Sequence, residues 1–525
     1  MKNKYLFFFL VSLCFYSCHT NEKNSHLSIF KYNESSGINS LDPAFAKDQA
    51  SIWAINQLFD GLVQLDSNLN IKPAIAKSWT VSDDGRHYLF NLRTDVYFHS
   101  HEVFKSKNER LVKAFDFVYS FNRLTNKQLA SPGAWVMNNV MDYQAINDST
   151  LSISLFRAFP PFLGLLSMSY CSVVPKKVVE TSIFRDHPVG TGPFYFQYWK
   201  DNVKLVFRKN TEFYEKGLPL LDAVSISFIK DKQSAFLEFL KGNLDFISGL
   251  DASYIDEVLS KDGRLKAAYQ DKIAMHTMPY LNTEYLGFLM DDSNLSPTQH
   301  LAVRQAINYG FDRHKMIRYL RNNIGTPAIN GFIPKGLPAF SENYVAYDYN
   351  PDLAKSLLKE HQLENVEVTL NTTSSYLDLC EFIQNQLYEI GISIKININP
   401  PSTHRQMVAT SKLNFFRGSW IADYADAENY LALFYSKNFC PNGPNYTHFY
   451  NAKFDTLYER SMKEVSIQKR IEMYRQMNQI VMSEAAVVPL YYDQVIRFVN
   501  NDIRGLSANA MNLLDLKRVS KHNSN

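Results

Sequence analysis

The 525-residue sequence is poor in cysteine, with only five, and none of them forms a Cys-x-x-Cys pair. The lack of that pair excludes a zinc ribbon and a thioredoxin-type redox motif. The sequence also lacks a Gly-x-Ser-x-Gly elbow, a His-Glu-x-x-His pair and a lysine-containing phosphate loop, so serine hydrolases, zinc proteases and P-loop enzymes have no support. After the first residues there is no apolar run of about 18, and no membrane-spanning helix is expected there.

An excess of charge of one sign is lacking as well. The formal net charge is +3, from 55 Lys and Arg against 52 Asp and Glu. No lysine-rich run occurs before the last few residues, so we expect no nucleic acid partner. Apolar residues make up 46% and charged residues 20%, which argues against disorder. A chain of this length exceeds what one hydrophobic core usually holds, so two or three domains are expected.

The beginning of the chain has the pattern of an export leader. Two lysines precede a short apolar stretch, residues 6–16, which is too short for the roughly 20 residues that cross a bilayer. Its end resembles the lipobox of bacterial lipoproteins, because the small Ser17 precedes Cys18. We therefore expect residues 1–17 to be a signal peptide, Cys18 to be lipidated, and residues 18–26 to be a polar tether. The alternative is an ordinary secretory signal cut near Ser17.

Three cysteines remain after the leader, Cys171, Cys380 and Cys440, in a chain expected to reach an oxidising compartment. One disulfide is possible, but its pairing cannot be read from the sequence. We expect buried free thiols instead. Aromatic residues are abundant, at 14%, which suits a large core and also a roomy ligand cleft lined by Tyr and Trp.

Local patterns predict helices and strands in alternation. Residues 78–98 read as two strands joined at Asp84-Gly85, a strong hairpin signal. Residues 111–124 have the apolar spacing of a helix. Residues 296–312 predict a second helix, with Ser296 as its N-cap, Pro297 in the first position and Gly310 at its end; Asp312 then caps the next helix.

The clearest unit is residues 366–398. A strand is followed by a helix that carries a stripe of Leu379, Ile383, Leu387 and Ile390, and Gly391 ends that helix. A second alternating strand follows. Two strands joined by a helix of this length predict a parallel pair with a right-handed crossover, so the fold class is α/β.

The segment from Arg417 to Glu428 places Asp423, Asp426 and Glu428 close to Trp420. Acids beside aromatics suit a glycan-cleaving site, which needs two carboxyl groups about 5 Å apart or more. They also suit a site that holds a cation. Nothing else in the sequence supports hydrolysis, so we expect no enzyme. Asp426 and Glu428 are expected to be the N-cap and the first-turn acid of the following helix.

The order of motifs between about residues 38 and 500 resembles that of the extracytoplasmic solute-binding proteins of ABC importers, in the oligopeptide, dipeptide and nickel class. Each motif is weak alone, but their order over nearly the whole chain is specific. The motifs are SLDPAFAKD, LFDGLVQLD, DFVYSFNRL, HPVGTGPFYF, VRQAINYGFD and SWIADYADAENYL.

The resemblance implies a two-lobed clamp with an extra domain packed on lobe I and a hinge formed by two crossovers, at residues 278–285 and 488–494. The implied parts are a discontinuous lobe I (27–68, 187–278 and 487–517), the extra domain (69–186), lobe II (279–486) and a tail (518–525).

The resemblance also implies a ligand site. Asp423 matches the acid that pairs with the α-ammonium of a bound peptide; the alternative is an Asp that caps a turn. The backbone from Gly418 to Ile421, opposite residues 61–63 of lobe I, would bind the peptide as an added strand. Wet pockets would then accept varied side chains.

Aromatic and basic residues complete the implied site. Trp420, Tyr280 and Tyr285 match pocket positions, with the core as the alternative for each. Arg417 stands where oligopeptide binders carry an arginine for the ligand carboxylate; a surface arginine is the alternative. His404 and Arg405 are weaker candidates for that role. Tyr376 replaces a histidine that some members use, which leaves the peptide length open.

Two further motifs are interpreted as structural. His99 and His101 share a strand face, but a polar hairpin tip is favoured over a metal site. Gly190 and Gly192 are expected to permit unusual backbone angles.

The expected protein is thus a lipid-anchored, monomeric solute-binding protein without cofactor or metal, facing the periplasm or the cell exterior. It would capture peptides by hinge closure and deliver them to a membrane permease. Alternatives are a nickel-chelate, haem or sugar binder of the same fold, a glycan-cleaving enzyme, and a signalling or adhesion lipoprotein.

Overall fold

The computed structural model describes residues 27–181, 184–249, 251, 254–291, 295–363 and 365–522. The predicted signal peptide and Cys18 lie outside the described residues. Within them, no helix is both long enough and apolar enough to span a membrane.

Among the described residues, one mixed sheet of eleven strands runs through both halves of the chain. Its order is β15-β14-β16-β12-β17-β11-β1-β10-β9-β8, with β13 beside β17. β14 is parallel to β15 and β16, β1 is parallel to β10 and β11, and the other neighbours are antiparallel. The strands are β1 (Ile29–Asn33), β8 (Phe194–Lys200), β9 (Lys204–Lys209), β10 (Ala223–Ser227), β11 (Phe246–Ser248), β12 (Ile273–Phe288), β13 (Thr326–Pro327), β14 (Val366–Thr372), β15 (Ile392–Ile398), β16 (Phe415–Ile421) and β17 (Val487–Asn500).

The long strands β12 and β17 connect the two halves of this sheet. They pair from Ile273 opposite Asn500 to Gly287 opposite Val487, and the register shifts between Pro279 and Thr283. On one side of this shift β17 pairs with β11; on the other side β12 pairs with β16. The two predicted crossovers fall within these strands. The residue boundaries of the lobes and of the extra domain stay predictions.

A second sheet has the antiparallel order β4-β5-β7-β6. The predicted hairpin at Asp84-Gly85 is confirmed: β4 and β5 pair, and Gly85 has φ +69°. Two small hairpins, β2 with β3 and β18 with β19, lie elsewhere. The strands are β2 (Val63–Leu65), β3 (Ile71–Pro73), β4 (Ala76–Val81), β5 (His87–Leu92), β6 (Val140–Asn147), β7 (Thr150–Leu155), β18 (Ile503–Arg504) and β19 (Ser520–Lys521).

The helices cover the faces of the sheets. Short 3₁₀ turns, such as Pro297–Gln299 and Ser374–Tyr376, precede some of them. The α-helices are α1 (Gln49–Leu58), α2 (Ala114–Thr125), α3 (Phe162–Leu166), α4 (Lys176–Val179), α5 (Lys232–Leu240), α6 (Ile255–Val258), α7 (Ala267–Gln270), α8 (Leu301–Tyr309), α9 (Arg313–Leu320), α10 (Pro351–Glu360), α11 (Leu377–Tyr388), α12 (Pro401–Ala409), α13 (Glu428–Leu431), α14 (Ala452–Ser461) and α15 (Ile467–Ser483).

Two helical predictions have different outcomes. The helix predicted from residue 111 is confirmed as α2, and it starts at Ala114 because the Asp116 carboxylate accepts from the Lys113 N–H, at 2.8 Å. The single helix predicted from Ser296 is wrong. Ser296 caps only a 3₁₀ turn, and His300, in extended backbone conformation, separates that turn from α8. Asp312 does cap α9, accepting from Lys315 N at 2.9 Å.

The strand–helix–strand unit is confirmed. β14 and β15 are parallel and in register from Val366 opposite Ile392 to Thr372 opposite Ile398. The predicted stripe is buried: Leu379, Ile383 and Leu387 lie in α11, and Ile390 lies two residues beyond its end. Gly391 has φ +91°. The expectation of buried free thiols is also confirmed, since Cys171, Cys380 and Cys440 are all buried and unpaired.

Gly190 and Gly192 require a correction. Neither has positive φ, so unusual backbone angles do not explain them. A Cβ on Gly190 would lie 2.0 Å from Leu58 O, and one on Gly192 would lie 2.5 Å from Leu58 C. Close approach of two backbones is therefore what requires glycine. His99 lies there as well, with Nε2 3.0 Å from Gly192 O. The described residues contain no cluster of three metal-ligating side chains.

Candidate functional site

Strand β16 has one paired and one open edge. It pairs with β12 over its full length, from Phe415 opposite Phe288 to Ile421 opposite Asn282. On the other edge, the pairing in the described chain is limited to Phe416 with Asn371 of β14. β14 ends at Thr372, where the chain turns away. The outer edge from Gly418 to Ile421 is therefore left without a partner strand.

Asp423 follows this open edge, and Asn429 of α13 holds it. The Asn429 side-chain oxygen accepts from the Trp420 indole N–H at 2.8 Å and from the Asp423 backbone N–H at 3.2 Å. The Asn429 amide N–H donates to Asp423 Oδ2 at 3.4 Å. One amide thus orients the indole and the carboxylate. Asn429 is not recognisable from the sequence, since nothing in its spacing distinguishes it from other residues of a short helix.

Part of the Asp423 side chain is exposed to solvent, but neighbouring protein atoms partly desolvate its carboxyl group. Desolvation raises the pKa of its carboxyl group, and the hydrogen bond from Asn429 opposes that shift. In the described part of the chain no Lys, Arg or His forms a salt bridge with it. Burial, with the Asp423 charge as a lesser cause, raises the pKa of Tyr170 to about 12. Asp423 is therefore a partly desolvated anion without a protein cation beside it.

Arg417 lies inside the protein, only 9% exposed, so the surface-arginine alternative is wrong. Its guanidinium forms a buried ion pair with Glu284 of β12 and lies over the Tyr376 ring, 3.2 Å from the ring centroid. Its backbone carbonyl accepts from His404 Nε2 at 2.8 Å. Burial raises the pKa of Glu284, and Arg417 opposes this. His404 is buried as well, whereas Arg405 is exposed.

The predicted pocket aromatics occupy different environments. Tyr285 is 2% exposed and packs edge-on against Phe332, with ring centroids 5.1 Å apart, which favours its core alternative. Tyr280 lines a cavity of about 470 Å³ beside the hinge strands, together with Arg321 and Asp493. Trp420 is half-buried.

The segment 61–63, which the sequence assigns to lobe I, already forms backbone hydrogen bonds with residues 75 and 76. Gly61 O accepts from Ile75 N at 3.2 Å, and Leu62 O accepts from Ala76 N at 2.9 Å. The segment lines a cavity of about 360 Å³. Asp60, at the same wall, has a buried Oδ2 that accepts no hydrogen bond from the described residues, and burial raises the pKa of its carboxyl group to about 7. Sequence reasoning missed Asp60.

Glu428 is buried and Asp426 is half-buried. Asp426 Oδ1 accepts from the Glu428 N–H at 2.9 Å, and Arg470 lies 3.8 Å away. The hydroxyl groups of Tyr424 and Tyr458 both donate to Glu428. Glu428 is in the first turn of α13 as predicted, but the N-cap position is Ala427, one residue after Asp426. Neither acid is arranged to attack a bound glycan.

The segment after β16 also reaches the other half of the molecule. Tyr424 is buried in the large hydrophobic cluster that the first half of the chain mainly forms, and it packs edge-on against Phe159, with centroids 6.1 Å apart. Its Cβ lies 3.5 Å from the position of a Cβ on Gly164. Asp423 thus lies at the junction of the two halves.

The sequence matches the family described as "Bacterial extracellular solute-binding proteins, family 5 Middle" over residues 70–439. The dipeptide-binding protein DppE of Bacillus subtilis is 23% identical, over 96% of this chain and 94% of its own length. The structure of HbpA2 from Haemophilus parasuis has a TM-score of 0.84 at 21% identity, covering 94% of this chain and 100% of its own. The periplasmic binding protein DppA of Helicobacter pylori, solved with the peptide STSA, has a TM-score of 0.76 at 23% identity, covering 94% and 98%. These matches establish the two-lobed α/β binding-protein fold that the sequence predicts.

Proposed function

The chain belongs to the bacterial extracellular solute-binding proteins of family 5, and from this membership we propose that it captures peptides between its lobes and delivers them to the permease of an ABC importer. The family is one of exported binding proteins rather than of enzymes. The name of the Bacillus relative and the peptide bound to the Helicobacter protein support a peptide ligand.

The observation that carries this proposal is the state of Asp423. A partly desolvated carboxylate that forms no salt bridge with the described residues gains from an ammonium group that arrives with a ligand. Asn429 already fixes its orientation, so little ordering is needed when the ligand binds. We assign Asp423 to the α-ammonium of the peptide and Trp420 to the neighbouring side-chain pocket.

The open edge of β16 supplies the second part of the proposal. Gly418 to Ile421 would bind the peptide main chain as an added strand, which is insensitive to side-chain identity. A Cβ on Gly418 would lie 2.7 Å from Tyr285 Cζ, so glycine allows this ring to pack beneath the edge. Tyr285 is then proposed as a support of the site, and Tyr280 as part of its wall.

For the carboxylate end of the peptide we retain Arg417. Its Nε is buried without a hydrogen-bond partner in the described structure, which leaves a donor available. Glu284 competes for the same guanidinium, so this contact contributes less than that of Asp423. Tyr376, beneath the guanidinium, would hold it in place. Attachment to the membrane through lipidated Cys18 belongs to the same proposal.

The first experiment is mass spectrometry of small molecules released by denaturing the purified protein. We expect a mixture of peptides of narrow length and varied sequence. A metal chelate, haem or sugar in their place would contradict the proposal and favour another ligand for the same fold.

The matched test is calorimetry of peptide binding to Asp423→Asn. Loss of the charge should weaken binding of a free-amine peptide on the order of 10- to 100-fold, with little effect on the N-acetylated peptide. Asp201→Asn, at an exposed turn between β8 and β9, removes the same charge far from the site and should bind as the unaltered protein does. Equal affinity of Asp423→Asn for the free-amine peptide would remove Asp423 from the site.

A further inference from the structure

Four polar side chains of the 279–486 half form a cluster that peptide binding does not explain. Cys440 Sγ lies 3.0 Å from Ser411 Oγ and 3.5 Å from His448 Nε2. Ser411 Oγ is itself 3.0 Å from His448 Nε2. On the opposite side of the ring, His448 Nδ1 lies 3.6 Å from Asp291 Oδ2. A thiol, an imidazole and a carboxylate thus follow one another in the order of a nucleophilic triad.

The imidazole of His448 is held in a fixed orientation. It stacks on the Phe439 ring, with centroids 4.7 Å apart and an interplanar angle of 13°. Nε2 is also 3.1 Å from the Cys440 carbonyl oxygen, which can only accept a hydrogen bond. With acceptors facing both nitrogens, the ring is well placed to take the thiol proton and to be stabilised as a cation by Asp291.

The backbone is strained at the same place. Ser411 has φ +55° and His448 has φ +52°. This left-handed region favours glycine, and a residue with a Cβ, Ser411 above all, adopts it only where the surrounding structure holds it there. Both residues lie beside the Cys440 sulfur, which indicates that the surrounding structure holds their backbone in this conformation.

We propose that Cys440 is a modification site, a thiol that reacts with hydrogen peroxide to give a sulfenic acid, with His448 as base and Asp291 as the residue that positions His448. His448 Nε2 takes the thiol proton. The sulfur attacks one peroxide oxygen, the O–O bond breaks, and the departing hydroxide takes the proton from His448 and leaves as water. Sulfur is oxidised and the peroxide is reduced. The hydroxyl group of Ser411 then lies beside the new S–OH group.

The burial of Cys440 limits which reagents can reach its sulfur. Cys440 is 4% exposed, while the next two residues, Pro441 and Asn442, are exposed. The sulfur therefore lies just beneath the surface, where a molecule as small as peroxide can reach it and a bulky substrate cannot.

The chain provides its own controls. Cys171 is fully buried, burial raises the pKa of its thiol, and the sulfur donates to the Leu165 carbonyl. Burial also raises the pKa of the Cys380 thiol. Neither of these two thiols has a His side chain among its described hydrogen-bond partners. All three cysteines can be followed in one sample.

The test is peroxide treatment of the purified protein, trapping of sulfenic acid with dimedone, and peptide mapping. We expect Cys440 to be trapped as its dimedone adduct at least about tenfold faster than Cys171 and Cys380. Equal rates at the three thiols would overturn the proposal.

Two variants separate chemistry from accessibility. His448→Asn suits the left-handed backbone and should slow the reaction on the order of 10- to 100-fold. Asp291→Asn, at a half-exposed position, should slow it less and flatten its dependence on pH. If His448→Asn does not fold, the rate of Asp291→Asn and the comparison of the three thiols still test whether His448 activates Cys440. An unchanged Cys440 rate in folded variants would show that accessibility alone governs the thiol, against the proposal.

Discussion

At the residue scale, the buried environment of Glu428 favours the neutral form of its carboxyl group. It is buried between Tyr424 and Tyr458, whose hydroxyl groups both donate to it. Burial raises its pKa to about 7, and the two tyrosine hydrogen bonds oppose this. Because the folded state holds the proton more tightly than the unfolded state, the folded protein binds more protons between the unfolded pKa of about 4.5 and the folded one.

This predicts a pH-dependent stability. The contribution of Glu428 is fully present below about pH 4.5 and is lost as pH rises through about 7, by roughly 3 kcal/mol. Glu428→Gln should flatten the fall in urea midpoint between about pH 5 and pH 8. Asp60, whose pKa is also raised to about 7, adds a slope of the same sign, so the flattening should be partial. The same slope in Glu428→Gln and in the unaltered protein would contradict this assignment.

Residues of the candidate site differ in how far the sequence could predict them. Asp423, Trp420 and Gly418 stand in one short motif, and that motif suffices to single them out. The pairing of Arg417 with Glu284 could not be predicted, because 133 residues separate them and only the register of β12 on β16 brings them together. Asn429 was missed because its role depends on how the chain folds back after β16.

At the element scale, the loop before β8 packs directly against the end of α1. Gly190 and Gly192 approach the Leu58 backbone, and Gly192 N donates to Leu58 O at 2.9 Å. His99, which follows β5 of the second sheet, forms hydrogen bonds with the Gly190 N–H and the Gly192 carbonyl of the same loop. The glycines thus allow three elements to meet at one point.

Gly190→Ala should therefore destabilise the protein. The added Cβ would meet the Leu58 carbonyl oxygen at 2.0 Å, and backbone cannot move aside as a flexible side chain can. We expect a loss of about 1–3 kcal/mol in the free energy of unfolding, measured by urea denaturation.

Gly164→Ala is the control for this change. It lies in α3, where the new Cβ would meet its nearest atom at an ordinary 3.5 Å. It should leave stability nearly unchanged, since alanine favours a helix. Equal losses in the two variants would exclude close approach as the cause.

Elements were predictable where the signal is local. The unit from β14 to β15 carries its own periodicities and its ending glycine, and it folds as predicted. The break at His300 was not predictable, because the apolar spacing continues across it. The open edge of β16 is a property of which strands pair, and it arises only when β14 turns away after Thr372.

At the scale of the whole molecule, the two halves share one sheet through β12 and β17. The register shift between Pro279 and Thr283 interrupts the pairing midway between them. A change of sheet twist at this point would alter the angle between the halves without separating the strands. This is the movement that the proposed capture of a peptide requires.

A bound peptide should accordingly stabilise and compact the protein. At a peptide concentration 100 times its Kd we expect about 2.7 kcal/mol of added stability, and small-angle X-ray scattering should show a smaller radius of gyration. Asp423→Asn at the same concentration should show a smaller rise in Tm. Stabilisation without any change in radius would contradict closure, though not binding.

The pairing of β12 with β17 also bears on how the protein resists proteolysis. Segments that join two lobes are often the places where proteases cut, because such segments are loosely held. Here both connections between the halves are long strands, β12 and β17, which form backbone hydrogen bonds with each other. A strand whose backbone is already hydrogen-bonded to a neighbouring strand does not fit a protease cleft. Cleavage should therefore begin in the surface loops and leave the connection between the lobes intact.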